Sequence, residues 1–408
     1  MSDRPRAAYV HIPFCASKCW YCDFSSYPGL ESIFGDYVRA LVAEIDRSGR
    51  HGGDGEPPPR SVYFGGGTPT ILDVSGISAI LDAISRGIGI DHDAEVTIEA
   101  NPGTVDLAKL SALREMGFNR LSLGVQSFDD EFLRSIGRAH TSAQALDAYA
   151  AAREAGFTNV GIDLIFALPG QTLEHWARTL DIAMALDECS GRSPSRPGPE
   201  HISLYELSIE EGTRFGQLCA DGKLAPIDED TRVDMYELAI GKLTSAPPLG
   251  RDSKSRPNGG GAGYEHYEVS NFARPGCRSR HNTTYWLNDA YFGFGAGATS
   301  YVDGTRARRI ADPRQYVAAI GLGAAAIEFS ETLDARARLG ETMVQGLRML
   351  EGIDLARIRL TAGFDPLHEY ASEIEALTAH GLIEVADGRL RVTHRGLLLL
   401  NDVAAEFV

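Results

Sequence analysis

From the first residues to about residue 210, short apolar runs alternate with amphipathic stretches. The runs lie at Ala7–Ile12, Ser61–Phe64, Glu95–Glu99, Arg120–Val125, Asn159–Phe166 and His201–Leu207. Between them, Phe34–Ile45, Ser75–Ser85, Leu107–Met116, Ala143–Ala155 and Leu173–Ala185 carry helical patterns. Leu107, Leu110, Leu113 and Met116 show the spacing of one buried helix face. Gly117 and Gly156 follow two of these helices, where a left-handed residue closes the last turn. Strand, crossover helix and next strand, repeated, predict an α/β fold with a parallel sheet and helices outside. Six such units suit an open, partial (β/α)6 barrel, whose chemistry collects at the C-terminal strand ends.

The pattern changes near residue 330. Helical spacing at Ala335–Leu350 and Leu367–His380 leads into Leu382–Ala386, then Asp387-Gly388, then Arg389–Thr393. An Asp-Gly pair between two alternating runs predicts a β-hairpin, so this part reads as a winged-helix-like α+β module. Its acidic side chains outnumber its basic ones, which favours a structural or protein-contact role over DNA binding. The expected organisation is a barrel over 1–228, a connecting region over 229–329 and the module over 330–408. Pro- and Gly-rich stretches at 56–59, 188–199 and 246–261 read as loops.

Composition narrows the function classes. The 408 residues are 43% hydrophobic, and a formal net charge of −17 argues against a nucleic-acid surface. Six cysteines are too few for a disulfide-stapled secreted fold. There is no signal-peptide pattern and no run of 18 apolar residues, so a cytoplasmic protein without a membrane span is expected, with at most peripheral membrane contact.

Three of the cysteines, Cys15, Cys19 and Cys22, sit together in a C-x3-C-x2-C loop straight after the first strand. Three thiolates leave a four-thiolate shell incomplete, so they would hold three irons of a 4Fe–4S cluster and leave the fourth open. A zinc site would want a fourth Cys or His nearby, and position 24 is Phe. Trp20, Tyr21 and Phe24 would shield a cluster from water. Gly65-Gly-Gly-Thr-Pro69 follows the second strand, where missing side chains let backbone approach a ligand.

The cysteine spacing, Tyr21 before the third cysteine and the Gly-Gly-Gly-Thr-Pro block are similar to the radical S-adenosylmethionine superfamily. Further blocks resemble the branch of oxygen-independent coproporphyrinogen III oxidase: Tyr9-Val-His-Ile-Pro-Phe-Cys, Ile98-Glu-Ala-Asn-Pro, Leu123-Gly-Val-Gln-Ser-Phe, Ile136-Gly-Arg-Ala-His and Ile162-Asp-Leu-Ile-Phe-Ala-Leu-Pro-Gly. The resemblance implies that Cys15, Cys19 and Cys22 ligate the cluster and that Tyr9, Gly66 and Glu99 contact S-adenosylmethionine, with Tyr21, Gly67 and Thr68 beside them. It also implies that Gln126, Arg138 and Asp163 bind further S-adenosylmethionine or substrate groups. Two departures, Phe24 in place of a further cysteine and the short segment before Cys15, instead resemble the family's heme chaperones. Arg280-His-Asn-Thr-Thr-Tyr-Trp286 contains the His-Asn-x-x-Tyr-Trp block of that branch. By this resemblance His281 would ligate heme iron, with Asn282 beside it and Tyr285 and Trp286 flanking the porphyrin. The implied function is binding heme and transferring it to haemoproteins such as respiratory enzymes, with a reductant protein as a further partner and a monomer or homodimer as the assembly. The alternative is oxidative decarboxylation of coproporphyrinogen III to protoporphyrinogen IX. A second glycine block, Phe292-Gly-Phe-Gly-Ala-Gly-Ala-Thr-Ser300, lacks the Lys of a phosphate loop and is expected to bring backbone near the cofactor cavity.

Overall fold

The computed structural model describes residues 5–48, 57–189, 198–244 and 263–408. The apolar runs become six parallel strands paired in chain order: β1 (Ala7–Ile12), β2 (Ser61–Gly66), β3 (Glu95–Ala100), β4 (Arg120–Gln126), β5 (Val160–Phe166) and β6 (His201–Glu206). Helices α1 (Phe34–Ser48), α2 (Val74–Gly87), α3 (Leu107–Glu115), α4 (Ser142–Glu154) and α5 (Leu173–Met184) cross between them. Side chains alternate along each strand. Val10, Phe64, Ile98, Leu123, Ile162 and Leu204 are buried in the apolar core. The intervening positions are polar: Tyr9, Tyr63, Thr97, Arg120, Ser122, Asp163 and Ser203. A parallel sheet buried on both faces ordinarily reads as near-continuous apolar runs. A polar lumen is therefore a departure that needs a use.

Local chemistry starts the helices. Asp73 and Asp106 accept from the backbone N–H of Gly76 and Lys109, and Thr141 and Thr172 form capping boxes with Gln144 and His175.

The region read as a connector is built into the sheet instead. After α6 (Glu229–Thr244), β7 (Glu265–Glu268) and β8 (Asn271–Ala273) add antiparallel strands beside β6. Helix α7 (Arg280–Trp286) then leads to β9 (Tyr291–Phe294), which runs parallel to β1. Strands β10 (Thr299–Val302), β11 (Thr305–Arg309) and β12 (Ile327–Thr332) extend that edge antiparallel. One twelve-stranded sheet results, in the order β12-β11-β10-β9-β1-β2-β3-β4-β5-β6-β8-β7. These added strands are three to six residues long, and β9 contains a glycine, so alternation along them is too short to read. The second glycine block turns between β9 and β10. A Cβ at Gly295 would lie 2.6 Å from the His11 carbonyl oxygen and from the Tyr37 hydroxyl. Gly295 thus seats this turn against β1 and α1, and none of the block's glycines lines the cofactor cavity.

The C-terminal module contains α8 (Ala335–Gly346), β13 (Ile353–Asp354), α9 (Leu355–Ala362), β14 (Ile383–Ala386) and β15 (Arg389–Val392). Its three strands order as β13-β15-β14. The hairpin turn has Asp387 at φ 52° and Gly388 at φ 72°, the double positive-φ geometry that Asp-Gly favours. The helix expected over Leu367–His380 is two pieces, Pro366–Glu369 and Ala371–Ala379. Leu339, Met343, Leu390, Val403 and Phe407 form a separate core that packs on Tyr236 and Ile240 of α6. A fully buried Glu268 on β7 faces Arg348 at 3.3 Å across this junction. The loop stretches at 188–199 and 246–261 fall largely outside the described residues.

Candidate cofactor site

Beyond β1 the chain forms the cysteine loop, closed at its base where Phe14–Cys15 pairs with Tyr27–Pro28. Trp20 anchors the loop: its N–H donates to the Ile136 carbonyl at 3.0 Å, and the Arg214 guanidinium lies 3.6 Å over its ring. The Cys15, Cys19 and Cys22 thiols are free and half-buried, and all three line one cavity of about 330 Å³ at the C-terminal mouth of the barrel. Their sulfurs do not all lie within 4.8 Å of one another. Thiolates sharing one tetrahedral zinc at 2.3 Å would be about 3.8 Å apart. No further Cys and no His lines the cavity among the described residues, and Phe24 is 66% exposed. Spacing and donor set fit a cluster with one open iron better than a closed single-ion site.

Gly66 and Gly67 are required where they stand. Gly66 has φ 115°, and a Cβ there would lie 2.7 Å from the His11 ring. At Gly67 a Cβ would lie 2.5 Å from the Phe14 carbonyl oxygen and 3.0 Å from Cys15 Sγ. A hydrogen-bonded chain joins two of the cysteines. Cys15 Sγ lies 3.5 Å from Thr68 Oγ1, which accepts from Asn101 Nδ2 at 2.7 Å. Arg138 Nη2 donates to Asn101 Oδ1 and to the Gly124 carbonyl, and Arg138 Nη1 reaches Cys19 Sγ at 3.5 Å. Arg138 thus brings its charge to a cysteine sulfur within the same cavity.

Glu99 accepts from Tyr63 Oη at 2.7 Å and from Gly66 N–H at 3.2 Å. Desolvation pushes its carboxyl up to about 7, against these two hydrogen bonds. Burial likewise raises Asp163, which accepts from Ser122 Oγ at 3.3 Å. Gln126 ends β4 at φ 65°, a left-handed conformation costly for a residue with a Cβ, and it faces the cavity at a break in strand register.

Tyr21, Gly66, Gly67, Thr68, Glu99, Gln126, Arg138 and Asp163 therefore share the cavity with the three cysteines. Asn101, Ser122, Tyr205 and Glu210 line it too. Sequence reasoning passed over these four, although Asn101 stands in the Ile98-Glu-Ala-Asn-Pro block. Tyr9 is outside the lining. Its hydroxyl is 3.0 Å from His11 Nδ1 and its ring stacks on Tyr63 lower in the lumen.

The His-Asn-x-x-Tyr-Trp block lies at the other end of the barrel. Ser279 caps α7, and Glu95 accepts from the N–H groups of Arg280 and His281, each at 3.2 Å. His281 is 1% exposed; its Nδ1 is 3.0 Å from Ser61 Oγ and its Nε2 2.9 Å from Tyr285 Oη. Its ring stacks on Tyr63 at 4.9 Å. Burial, then the Arg120 charge, hold it down to about 3, so it is neutral. Both ring nitrogens are engaged, and in this conformation His281 is closed to an iron. Asn282 is half-buried, its backbone N–H held by Ser279. Five residues along a helix turn through about 140° beyond one full turn, so Trp286 faces away from His281. The block's residues are split between the barrel floor, at His281, and the surface toward the C-terminal module, at Trp286.

Comparison with known proteins agrees with the geometry. Residues 9–183 match the Radical SAM superfamily and residues 333–399 match the HemN C-terminal domain. The chain is 34% identical to the heme chaperone HemW of Bacillus subtilis, covering 99% of each chain. It is 37% identical to the heme chaperone HemW of Synechocystis sp., over 87% of this chain and 80% of that one. The solved structure of coproporphyrinogen III oxidase (HemN) from Escherichia coli superposes with a TM-score of 0.81 at 25% identity, covering 99% of this chain and 90% of that one. With its three-cysteine loop, its glycine block and full-length identity to these relatives, the chain belongs to the HemW family of the radical SAM superfamily.

Proposed function

We propose that this protein binds heme and passes it to haemoproteins, and that its barrel mouth carries a 4Fe–4S cluster with S-adenosylmethionine. Cys15, Cys19 and Cys22 would hold the cluster, and Glu99, Gly66 and Gly67 would seat the S-adenosylmethionine beside it. When bound, the cluster supplies an electron and an open iron for chelation. The chain's own part is physical. Glu99 and Asp163 accept hydrogen bonds, Arg138 offsets thiolate charge at Cys19, and Trp20 keeps the loop packed.

One observation supports heme handling over porphyrinogen decarboxylation. Asp23, Glu99, Asp163, Glu206 and Glu210 line the cavity, against Arg138 as the one Lys or Arg lining it among the described residues. Coproporphyrinogen carries four carboxylates, which the acids outside the blocks shared with the decarboxylase branch, Asp23, Glu206 and Glu210, would disfavour. Phe24, where the decarboxylase branch has a cysteine, agrees with this. The test is heme titration alongside a decarboxylation assay on one anaerobic, cluster-loaded sample. Stoichiometric heme uptake without protoporphyrinogen formation supports the proposal. Conversion of coproporphyrinogen III with no heme uptake defeats it. A haemoprotein acceptor and a reductant protein are the partners this reading requires. Among the described residues, no helix is long and apolar enough to cross a membrane.

A further inference from the structure

A second cavity, of about 580 Å³, lies where the end of α7 meets the C-terminal module. Trp286, Leu287, Met349, Ile353, Ile358 and Leu360 line it; Trp286 packs against Met349, and the Arg348 guanidinium lies 4.4 Å over its ring. Its size falls within the roughly 300–1,000 Å³ of small-molecule sites. The rim is apolar where a surface should be polar: Leu360 is 80% exposed and Leu287 36%. Trp286 Nε1 is shielded from solvent and has no hydrogen-bond partner among the described residues, a donor left over for a ligand.

Charge separates this cavity from the barrel mouth. Arg6, Arg357 and Arg389 all line it. Arg6 and Arg357 share the single carboxylate of Asp289. Arg389 Nη1 donates to the backbone carbonyls of Glu351 and Gly352 at 3.5 and 3.0 Å. The two remaining carboxylates are engaged elsewhere: Glu351 with Arg278 at 3.1 Å, and Asp354 with the Arg357 N–H at 3.0 Å. The lining thus sets three guanidinium groups against three carboxylates, where the mouth has one arginine against five acids.

We propose that this cavity seats the porphyrin. Heme is a flat apolar ring with two carboxylates on one edge. The ring would lie between Trp286 and the module wall, and the propionates would take Arg357 and Arg389 as charge-assisted partners. His281 then acts as a floor residue of the barrel, and the block marks heme binding through its last residue. This rests on the heme-binding reading above and adds its place.

The test is Soret titration of hemin into the full-length, cluster-loaded protein, comparing wild type with Ala356→Trp, Arg357→Ala/Arg389→Ala and Leu360→Glu. Ala356 is exposed on α9 and lines the cavity, so the indole fills it; Leu360 is so exposed that its replacement leaves the fold intact. Ala356→Trp and the double arginine variant are expected to weaken heme binding by about tenfold or more, and Leu360→Glu by about threefold, with cluster absorbance unchanged. Wild-type heme affinity in all three variants would overturn the cavity assignment and leave heme binding standing. Failure of the wild type to take up heme would overturn the heme reading itself, and the cavity with it.

Discussion

The two ends of the barrel are built from the same strands and solve opposite problems. At the C-terminal mouth, polar atoms are left with capacity to spare: three free thiols, a Glu99 carboxyl raised by burial and a strained Gln126. At the base, polar atoms largely satisfy one another. Glu95 takes the backbone donors of α7, and both nitrogens of His281 are spoken for. Spare valence marks chemistry and closed valence marks architecture, even where the closed residues belong to a recognisable motif. Arg120 Nε, His201 Nδ1 and Thr97 Oγ1 are exceptions at the base, buried without a partner among the described residues.

The contrast can be broken most decisively at the mouth. Replacing Cys15, Cys19 or Cys22 by Ser should abolish the cluster's visible absorbance and bound sulfide while leaving heme uptake unchanged. Loss of heme uptake in the same variants would show that the two ends are not separable. Gly67→Val should come next, because its side chain would occupy the space held by Cys15 Sγ and the Phe14 carbonyl. Iron analysis after reconstitution should show most of the cluster missing. At the base, His281→Ala removes two buried hydrogen bonds and a ring stack, for about 2–4 kcal/mol of stability. Urea unfolding measures that loss. Stoichiometric heme binding by the folded variant is expected, and its disappearance would return His281 to the iron.

Smaller effects sharpen the electrostatic side. The ionised form of Glu99 is the better acceptor for a donor of S-adenosylmethionine. Affinity should therefore fall as pH drops through about 7, by up to about tenfold per unit below it. Equilibrium dialysis between pH 6 and 8 reads this, and Glu99→Gln should flatten the profile. For folding the sign is opposite. The folded value lies above the ordinary 4.5, so this carboxyl's contribution to stability is present below that and lost as pH rises through about 7. Thr141→Ala, at a capping box remote from both ends, should cost about 1 kcal/mol and touch neither ligand. A change in cluster content there would reveal strain passing through α4.

Much of this was legible because its signals are local. The six strands of the barrel and their helices follow apolar periodicity, and the Asp387-Gly388 turn follows from which residues tolerate positive φ. The cysteine spacing and the glycine block sit at strand ends, so eight of the residues tied to the cofactor by resemblance do meet the cysteines in one cavity. Less was legible where partners are distant in the chain. Nothing in Asn101 alone indicates that it bridges Thr68 to Arg138, and nothing in Glu95 indicates that it holds a helix some 185 residues later. Region 229–329 read as a connector because its strands are too short for alternation to emerge.

By itself, then, the sequence determined the kind of chemistry: three thiols on one loop, glycines where backbone must approach, carboxylates at strand ends. These depend on residue type and spacing over a few positions. Only the tertiary structure decided orientation. It gathered the three sulfurs at one cavity, turned His281 inward and Trp286 outward, and placed Arg357 and Arg389 beside a cavity that no single segment encodes. Which way a side chain faces depends on what packs against its helix, and here that is a barrel floor on one side and a separate module on the other.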